Sequence, residues 1–187
     1  HFFCRAQKKG NGKDDEKLRR CYYRDRPRSR KRLESVSMGG SVEQMNPRVM
    51  GQVEPHLWIG SLQALYEVQE SQRCWTVISL LHSERMLQFA RNSTGDNVIR
   101  HVEWQLADDS QADFLCDRLE EIIRIIDESK ESQTECLVHC AMGISRSAAV
   151  VAAYLISKGK SLKESMKCIR RVRKAALPNM GFTAAMH

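Results

Sequence analysis

The stretch that decides the fold reads Cys136-Leu137-Val138-His139-Cys140-Ala141-Met142-Gly143-Ile144-Ser145-Arg146-Ser147. A short apolar run ends in His-Cys, five uncharged residues follow, and Arg-Ser then opens an apolar stretch that continues to Ile156. This pattern predicts a buried strand, a tight loop and the first turn of a helix. Because a helix N-terminus presents free backbone N–H groups and the positive end of a dipole, the loop is expected to bind an anion.

Two side chains flank this loop and indicate which anion it binds. A cysteine beside a cation at a helix N-terminus ionises more readily than a free thiol, so Cys140 is a candidate nucleophile. The planar guanidinium of Arg146 matches two phosphoryl oxygens. The chemistry predicted is therefore attack of a thiolate on a phosphate monoester. The spacing Cys-x5-Arg is weak by itself, and a buried, inert cysteine on a core strand is the alternative.

Charge divides the 187 residues into two parts. Residues 1–50 contain 14 Lys or Arg and 6 Asp or Glu, whereas residues 51–187 contain 16 and 17. Residues 1–50 show no sustained periodic pattern of apolar residues, so they are predicted to be a basic, disordered N-terminal segment. Its cluster Arg26-Pro27-Arg28-Ser29-Arg30-Lys31-Arg32 is either a nuclear address or polyanion contact, or a solvated linker. Nucleic-acid binding is not expected outside this tail.

The cysteines and the apolar runs restrict the cell compartment. None of the seven cysteines forms a C-x-x-C pair, and no run has the length of a membrane span or the apolar core of a signal peptide. These features predict reduced thiols, a cytoplasmic or nuclear location, no metal, no cofactor and no membrane partner.

Strand and helix patterns alternate through residues 51–187, which are predicted to form one catalytic domain. Strands are expected at 53–60, 75–81 and 98–106 and before Cys140, with helices after Ser61, at 84–90, after Ser110, at 147–156 and after Ser161. This order predicts an α/β sandwich with a central, largely parallel mixed sheet flanked by helices.

The motif His139-Cys140-x5-Arg146-Ser147 resembles the signature of the cysteine-dependent protein tyrosine phosphatase superfamily. The likeness is nearest to the dual-specificity phosphatase catalytic domain of the atypical, single-domain type, and it extends over about residues 52–182. It implies a protein tyrosine phosphatase-like sandwich, with Cys140 as nucleophile, Arg146 as phosphate clamp and His139 keeping Cys140 ionised. Ser147 would assist breakdown of the phosphoenzyme. The backbone that would cradle the phosphate is that of Ala141, Met142, Gly143, Ile144, Ser145 and Arg146.

The leaving oxygen needs a proton, and Ala107-Asp108-Asp109-Ser110 supplies two adjacent carboxyl groups for that role. The family's general acid usually precedes a small polar residue directly, which selects Asp109. Asp108 stays the alternative.

The resemblance also suggests the substrates. A domain of about 135 residues without the elements that deepen the cleft of tyrosine-specific enzymes would admit phosphotyrosine, phosphoserine and phosphothreonine. The cradle lacks the basic residues typical of phosphoinositide-directed relatives, so phosphoproteins are favoured, with signalling kinases as candidate partners. A phosphoinositide or other non-protein phosphatase and a non-catalytic phosphoprotein-binding module are the alternatives. The family continues past Asn179-x-Gly181-Phe182 into a final helix, which is expected to be truncated here.

Overall fold

The computed structural model describes residues 49–107 and 112–179. The predictions for the basic segment, for Asp108 and Asp109 and for the final helix lie outside these residues. The boundary between tail and domain stays a prediction.

The apolar and β-branched runs form a five-stranded sheet with the order β1-β2-β5-β3-β4. Its strands are β1 (Met50–Glu54), β2 (Leu57–Gly60), β3 (Trp75–Leu81), β4 (Val98–Gln105) and β5 (Glu135–Cys140). Among the described strands, β1 and β2 pair antiparallel, whereas β2–β5, β5–β3 and β3–β4 are parallel. The prediction of a largely parallel mixed sheet is therefore confirmed.

Helices cover both faces of the sheet. They are α1 (Ala64–Glu70), α2 (Glu84–Asn92), α3 (Ala112–Glu131), α4 (Arg146–Ser157) and α5 (Leu162–Val172). Residues of α3, α4 and α5 share one buried cluster with Ile78, Leu80, Val138 and Cys140, and residues of α1 and α2 share a second with Trp75, Val77 and Leu137. Alternate residues of β3 and β5 thus face opposite layers, as the strand period of two requires.

The prediction of one strand at 53–60 is wrong. The chain turns at Pro55 and His56, so β1 and β2 form an antiparallel hairpin. Pro55 has no backbone N–H for a strand ladder, and His56 takes a φ of 61°, which is incompatible with an extended strand. A cap at Ser61 is also absent, because α1 begins at Ala64 and the Ser61 hydroxyl donates to the carbonyl oxygen of Val49 at 3.4 Å.

The predicted cap at Ser161 is present. Its hydroxyl accepts from the backbone N–H of Glu164, whose carboxylate accepts from the backbone N–H of Ser161. This capping box fixes the start of α5, the helix that leads into the segment behind the catalytic loop.

Two further properties concern the described residues as a set. None of their helices has the length and apolar character needed to cross a bilayer. Cys136, Cys140 and Cys168 are free thiols, whereas Cys74 is disulfide-bonded, which differs from the expectation that all cysteines are reduced.

Candidate active site

The Cys140 thiol lies at the point where β5 ends, under the loop that leads into α4. Only 1% of the residue is exposed. The backbone N–H of Gly143 donates to Sγ at 3.2 Å, and the Ser147 hydroxyl lies 3.3 Å from the same sulfur. A sulfur held by hydrogen-bond donors from the loop and from the first turn of α4 is arranged to carry negative charge.

The path of the loop depends on one glycine. Gly143 has a φ of 68°, in the left-handed region that favours glycine. A side chain there would also collide with β2, because a Cβ atom would lie 2.6 Å from the carbonyl oxygen of Gly60. Glycine at this position therefore allows both the left-handed backbone, in which the Gly143 N–H donates to Cys140, and the close approach of the loop to β2.

Opposing effects set the pKa of the Cys140 thiol. Burial raises it, but the hydrogen bond from the Ser147 hydroxyl and those from the backbones of Ser147 and Ile144 lower it. The positive charge of Arg146 lowers it further, so the pKa lies below that of a free thiol. Cys136 on the same strand shows the contrast, because burial raises the pKa of its thiol to about 12.

Arg146 is held by one end of its guanidinium. The residue is only 6% exposed, and Nη1 donates to the carbonyl oxygen of Leu106 at 3.0 Å. Among the described residues, its buried Nε has no hydrogen-bond partner. Leu106 stands two residues before Asp108 in the sequence, so this bond ties Arg146 to the start of the segment that carries both candidate acids.

A second segment, residues 173–179, lies against the outer side of the loop. The Arg173 guanidinium donates to the carbonyl oxygens of Met142 and Gly143, and the backbone N–H of Leu177 donates to the Ile144 carbonyl at 2.9 Å. The Asn179 N–H donates to the Ser145 hydroxyl at 3.2 Å. The carbonyl groups of the loop therefore form hydrogen bonds with this segment on the outer side of the loop. Because the N–H of a peptide group points away from its C=O, the N–H groups of these peptides are available on the inner side.

His139 is fully buried on the opposite face of β5 from Cys140, and its Nε2 lies 2.6 Å from the Ser79 hydroxyl. Burial lowers the pKa of His139 to about 3, the nearby His101 lowers it as well, and the backbone of Cys140 raises it only partly. The imidazole is therefore neutral near pH 7. It cannot stabilise a thiolate by positive charge, and any support it offers must come from position and hydrogen bonding.

The structure thus brings together His139, Cys140, the loop Ala141–Ser145, Arg146 and Ser147, as expected. Their catalytic roles stay predictions, as does that of Asp109 or Asp108.

Sequence reasoning missed three residues: Arg173, Ser79 and His101. Arg173 lies 33 positions from Cys140 and has no motif of its own. Ser79 was recognisable only as a polar residue within an otherwise apolar strand. Among the described residues, no cluster of His, Cys, Asp and Glu has the geometry of a metal site.

Comparison with known proteins gives a consistent result. The model of the family described as dual specificity phosphatase, catalytic domain, matches residues 60–187. Human protein phosphatase Slingshot homolog 3 is 34% identical over 131 residues, covering 68% of this chain and 19% of the relative. Dual specificity protein phosphatase 5 of Rattus norvegicus is 30% identical over 150 residues, covering 79% of this chain and 35% of the relative.

The chain therefore spans less than two thirds of the length of either curated relative. Among solved structures, human DUSP28 superposes with a TM-score of 0.62 at 26% identity, covering 75% of this chain and 91% of that one.

Proposed function

The chain belongs to the dual specificity phosphatase catalytic-domain family, and from that premise we propose that it hydrolyses phosphoprotein monoesters through a cysteinyl-phosphate on Cys140. The observation that carries the proposal is the buried Cys140 sulfur, which receives hydrogen bonds from Gly143 and Ser147 and has a lowered pKa. A thiol with these neighbours is a thiolate at a lower pH than a free cysteine. The contrast with Cys136 argues against an inert core cysteine.

The first step transfers the phosphoryl group to the enzyme. The Cys140 thiolate attacks phosphorus and forms an S–P bond. The P–O bond to the substrate breaks at the same time, and its electron pair goes to the leaving oxygen. Asp109, or alternatively Asp108, gives a proton to the departing oxygen so that it leaves as an alcohol or phenol. Arg146 stabilises the equatorial phosphoryl oxygens through its planar fork, and its buried Nε, which has no partner among the described residues, is one donor available for that contact.

The second step regenerates the thiolate. Water attacks phosphorus and loses a proton to the carboxylate formed in the first step, while the S–P bond breaks with its electron pair on sulfur. The Ser147 hydroxyl, 3.3 Å from Sγ, can donate to the sulfur as negative charge returns to it. The products are inorganic phosphate and the enzyme in its starting protonation state.

Hydrolysis of an aryl phosphate by purified variants tests the proposal. Cys140→Ser is expected to abolish turnover. Arg146→Lys is expected to reduce kcat/KM by about 10²–10³-fold, because lysine lacks the planar guanidinium that binds two phosphoryl oxygens. Cys136→Ser, a change on the same strand, is the matched control and is expected to retain activity if it folds. Undiminished hydrolysis by Cys140→Ser would exclude the mechanism.

For substrates, we propose phosphotyrosine and phosphoserine or phosphothreonine in proteins. Support comes from the cradle, which carries no basic side chain between Cys140 and Arg146, and from Met142 at its rim, whose side chain is 65% exposed and apolar. A panel of phosphopeptides and phosphoinositides measured under identical conditions tests this. Faster release of phosphate from the inositol lipids would favour the alternative, a phosphoinositide phosphatase.

Location and protein partners are proposed on sequence grounds alone. The cluster 26–32 supports a nuclear and cytoplasmic distribution, and signalling kinases are the phosphoproteins that we propose as candidate partners. Imaging of a fluorescent fusion, with and without neutralised arginines in that cluster, tests the first statement. Capture by the Cys140→Ser variant, competed with vanadate, tests the second.

A further inference from the structure

A row of polar side chains crosses the sheet beneath the catalytic loop. It runs from His139 on β5 through Ser79 on β3 to His101 on β4, which are neighbouring strands. The Ser79 hydroxyl lies 2.6 Å from Nε2 of His139 and 2.7 Å from Nε2 of His101. Ser79 and His139 are both completely buried on the face of the sheet that packs against α1 and α2, beside apolar residues such as Val77 and Leu137. Buried polar groups in such surroundings are costly unless each is hydrogen-bonded, so the row is a specific arrangement.

The row continues from His101 to the surface. Nδ1 of His101 lies 3.4 Å from the Glu103 carboxylate, which Arg91 of α2 binds at 2.7 Å. Arg91 in turn pairs with Glu84 at 2.8 Å. The groups that face His101 are therefore a carboxylate on one nitrogen and a hydroxyl on the other, with the Arg91 guanidinium beyond the carboxylate.

Counting protons leaves two directions for these hydrogen bonds. A serine hydroxyl has one proton, so Ser79 can donate to only one of the two imidazoles and must accept from the other. The pKa of His101 is lowered by burial and by Arg91, although Glu103 opposes this, so the ring is neutral near pH 7. A neutral His101 places its single proton on Nδ1, where it faces the negative Glu103.

The remaining positions follow from that assignment. Nε2 of His101 is then unprotonated and accepts from the Ser79 hydroxyl. In that arrangement the Ser79 oxygen accepts from a proton on Nε2 of His139. The backbone of Cys140 favours the opposite direction, because it raises the pKa of His139 and so accepts from a proton on Nδ1, which leaves Nε2 to accept from Ser79. In both directions the Ser79 hydroxyl is the hydrogen-bond partner that holds the His139 ring.

We propose that Ser79 and His101 are positioning residues that hold His139 in one tautomer and one ring orientation, and so keep the adjacent Cys140 sulfur aligned with its hydrogen-bond donors. The proposal rests on the proposed function, since it explains how the nucleophile of that reaction is kept in place. Neither residue touches the substrate. Loss of the hydroxyl leaves the His139 ring without its anchor, and the alignment of the sulfur with Gly143 and Ser147 is expected to relax.

The test measures the thiolate directly and does not require turnover. The rate of Cys140 alkylation by iodoacetamide is followed against pH in the full chain, with other cysteines resolved by peptide mapping. Ser79→Ala is expected to raise the pKa of the Cys140 thiol by about half to one unit, which corresponds to one weakened hydrogen bond. Ser79→Thr, which keeps the hydroxyl, is expected to restore the original value in any variant that folds.

A matched control separates positioning from simple destabilisation. Ser165 on α5 is also completely buried, and among the described residues its hydroxyl has no hydrogen-bond partner. Ser165→Ala removes a buried hydroxyl outside the site and is expected to leave the Cys140 titration unchanged. Nitrogen-15 NMR of the histidine rings gives a second readout, in which the tautomer ratio of His139 in Ser79→Ala is expected to differ from that in wild type.

The outcomes are distinct. An unchanged Cys140 titration and an unchanged His139 tautomer in folded Ser79→Ala would overturn the positioning role. If the wild type hydrolyses no phosphate ester while the Ser79→Ala shift occurs, the proposed function fails and the positioning role stands.

Discussion

Protonation of His139 is expected to make the folded domain sensitive to mild acid. The imidazole is completely buried, and burial lowers its pKa to about 3 in the folded state. In the unfolded chain a histidine titrates near its ordinary value of about 6.5. Between these values the unfolded chain binds a proton that the folded domain does not, so the free energy of unfolding falls as the pH falls.

The size of the effect follows from the two pKa values. From pH 7 to pH 5 this single group is expected to remove about 2 kcal/mol of stability, and about 4 kcal/mol by pH 3. The window from pH 7 to pH 5 is the informative one, because Glu54 and Glu128, whose pKa values are lowered from 4.5 in the folded domain, change the stability only below about pH 5. His101 adds a slope of the same sign, because its pKa is also lowered.

Urea unfolding followed by tryptophan fluorescence at several pH values measures this slope. His139→Gln carries an uncharged amide at this position, and it is expected to lose about 2 kcal/mol less than wild type between pH 7 and pH 5. The comparison uses the slope, because the substitution also changes stability at pH 7. His82→Gln, at an exposed position, is the control and is expected to keep the wild-type slope. Equal slopes for wild type and His139→Gln would refute the reasoning.

Three further substitutions test the loop, its outer support and the acid. Gly143→Ala, where a Cβ would lie 2.6 Å from a carbonyl oxygen of β2, is expected to cost about 2–4 kcal/mol and to weaken vanadate binding, measured by inhibition. Gly159→Ala, also at positive φ but in open space, is expected to cost only about 1 kcal/mol, and equal losses would contradict the packing argument. Arg173→Met is expected to raise KM for an aryl phosphate by about tenfold, since two loop carbonyls lose a donor; an unchanged KM would show that the contact is dispensable. Asp109→Asn is expected to lower kcat by about 10²–10⁴-fold for a poor leaving group and far less for a good one, and this pattern in Asp108→Asn instead would reverse the assignment.

The sheet and its helices were predictable because each buried element carries a periodic signal. Trp75–Leu81 is an apolar and β-branched run interrupted only by Ser79, and both of its faces are covered by helices in the structure. The same logic failed at Pro55 and His56, where apolar residues on both sides concealed a turn. The φ of 61° at His56 is not reflected in the pattern of apolar residues around it, so this pattern could not predict the turn.

The site was predictable where its residues are close together in sequence and not where they meet by folding. The strand, loop and helix around Cys140 are local, so their spacing carries the arrangement. The hydrogen bonds of Ser79 with His101 and His139 join positions 22 and 60 residues apart, and they depend on the order of strands β5, β3 and β4. Arg173 likewise reaches the loop from the end of α5, across 30 residues.

The central claim is that Cys140 becomes covalently phosphorylated during turnover. Rapid acid quenching of the wild-type protein with an excess of phosphotyrosine peptide, followed by peptide mass spectrometry, measures this directly. A phosphoryl group is predicted on the Cys140 peptide in the first turnover, and none on Cys136 or in the Cys140→Ser variant. Steady hydrolysis with no phosphoryl group on Cys140, or with the group on another residue, would contradict the account.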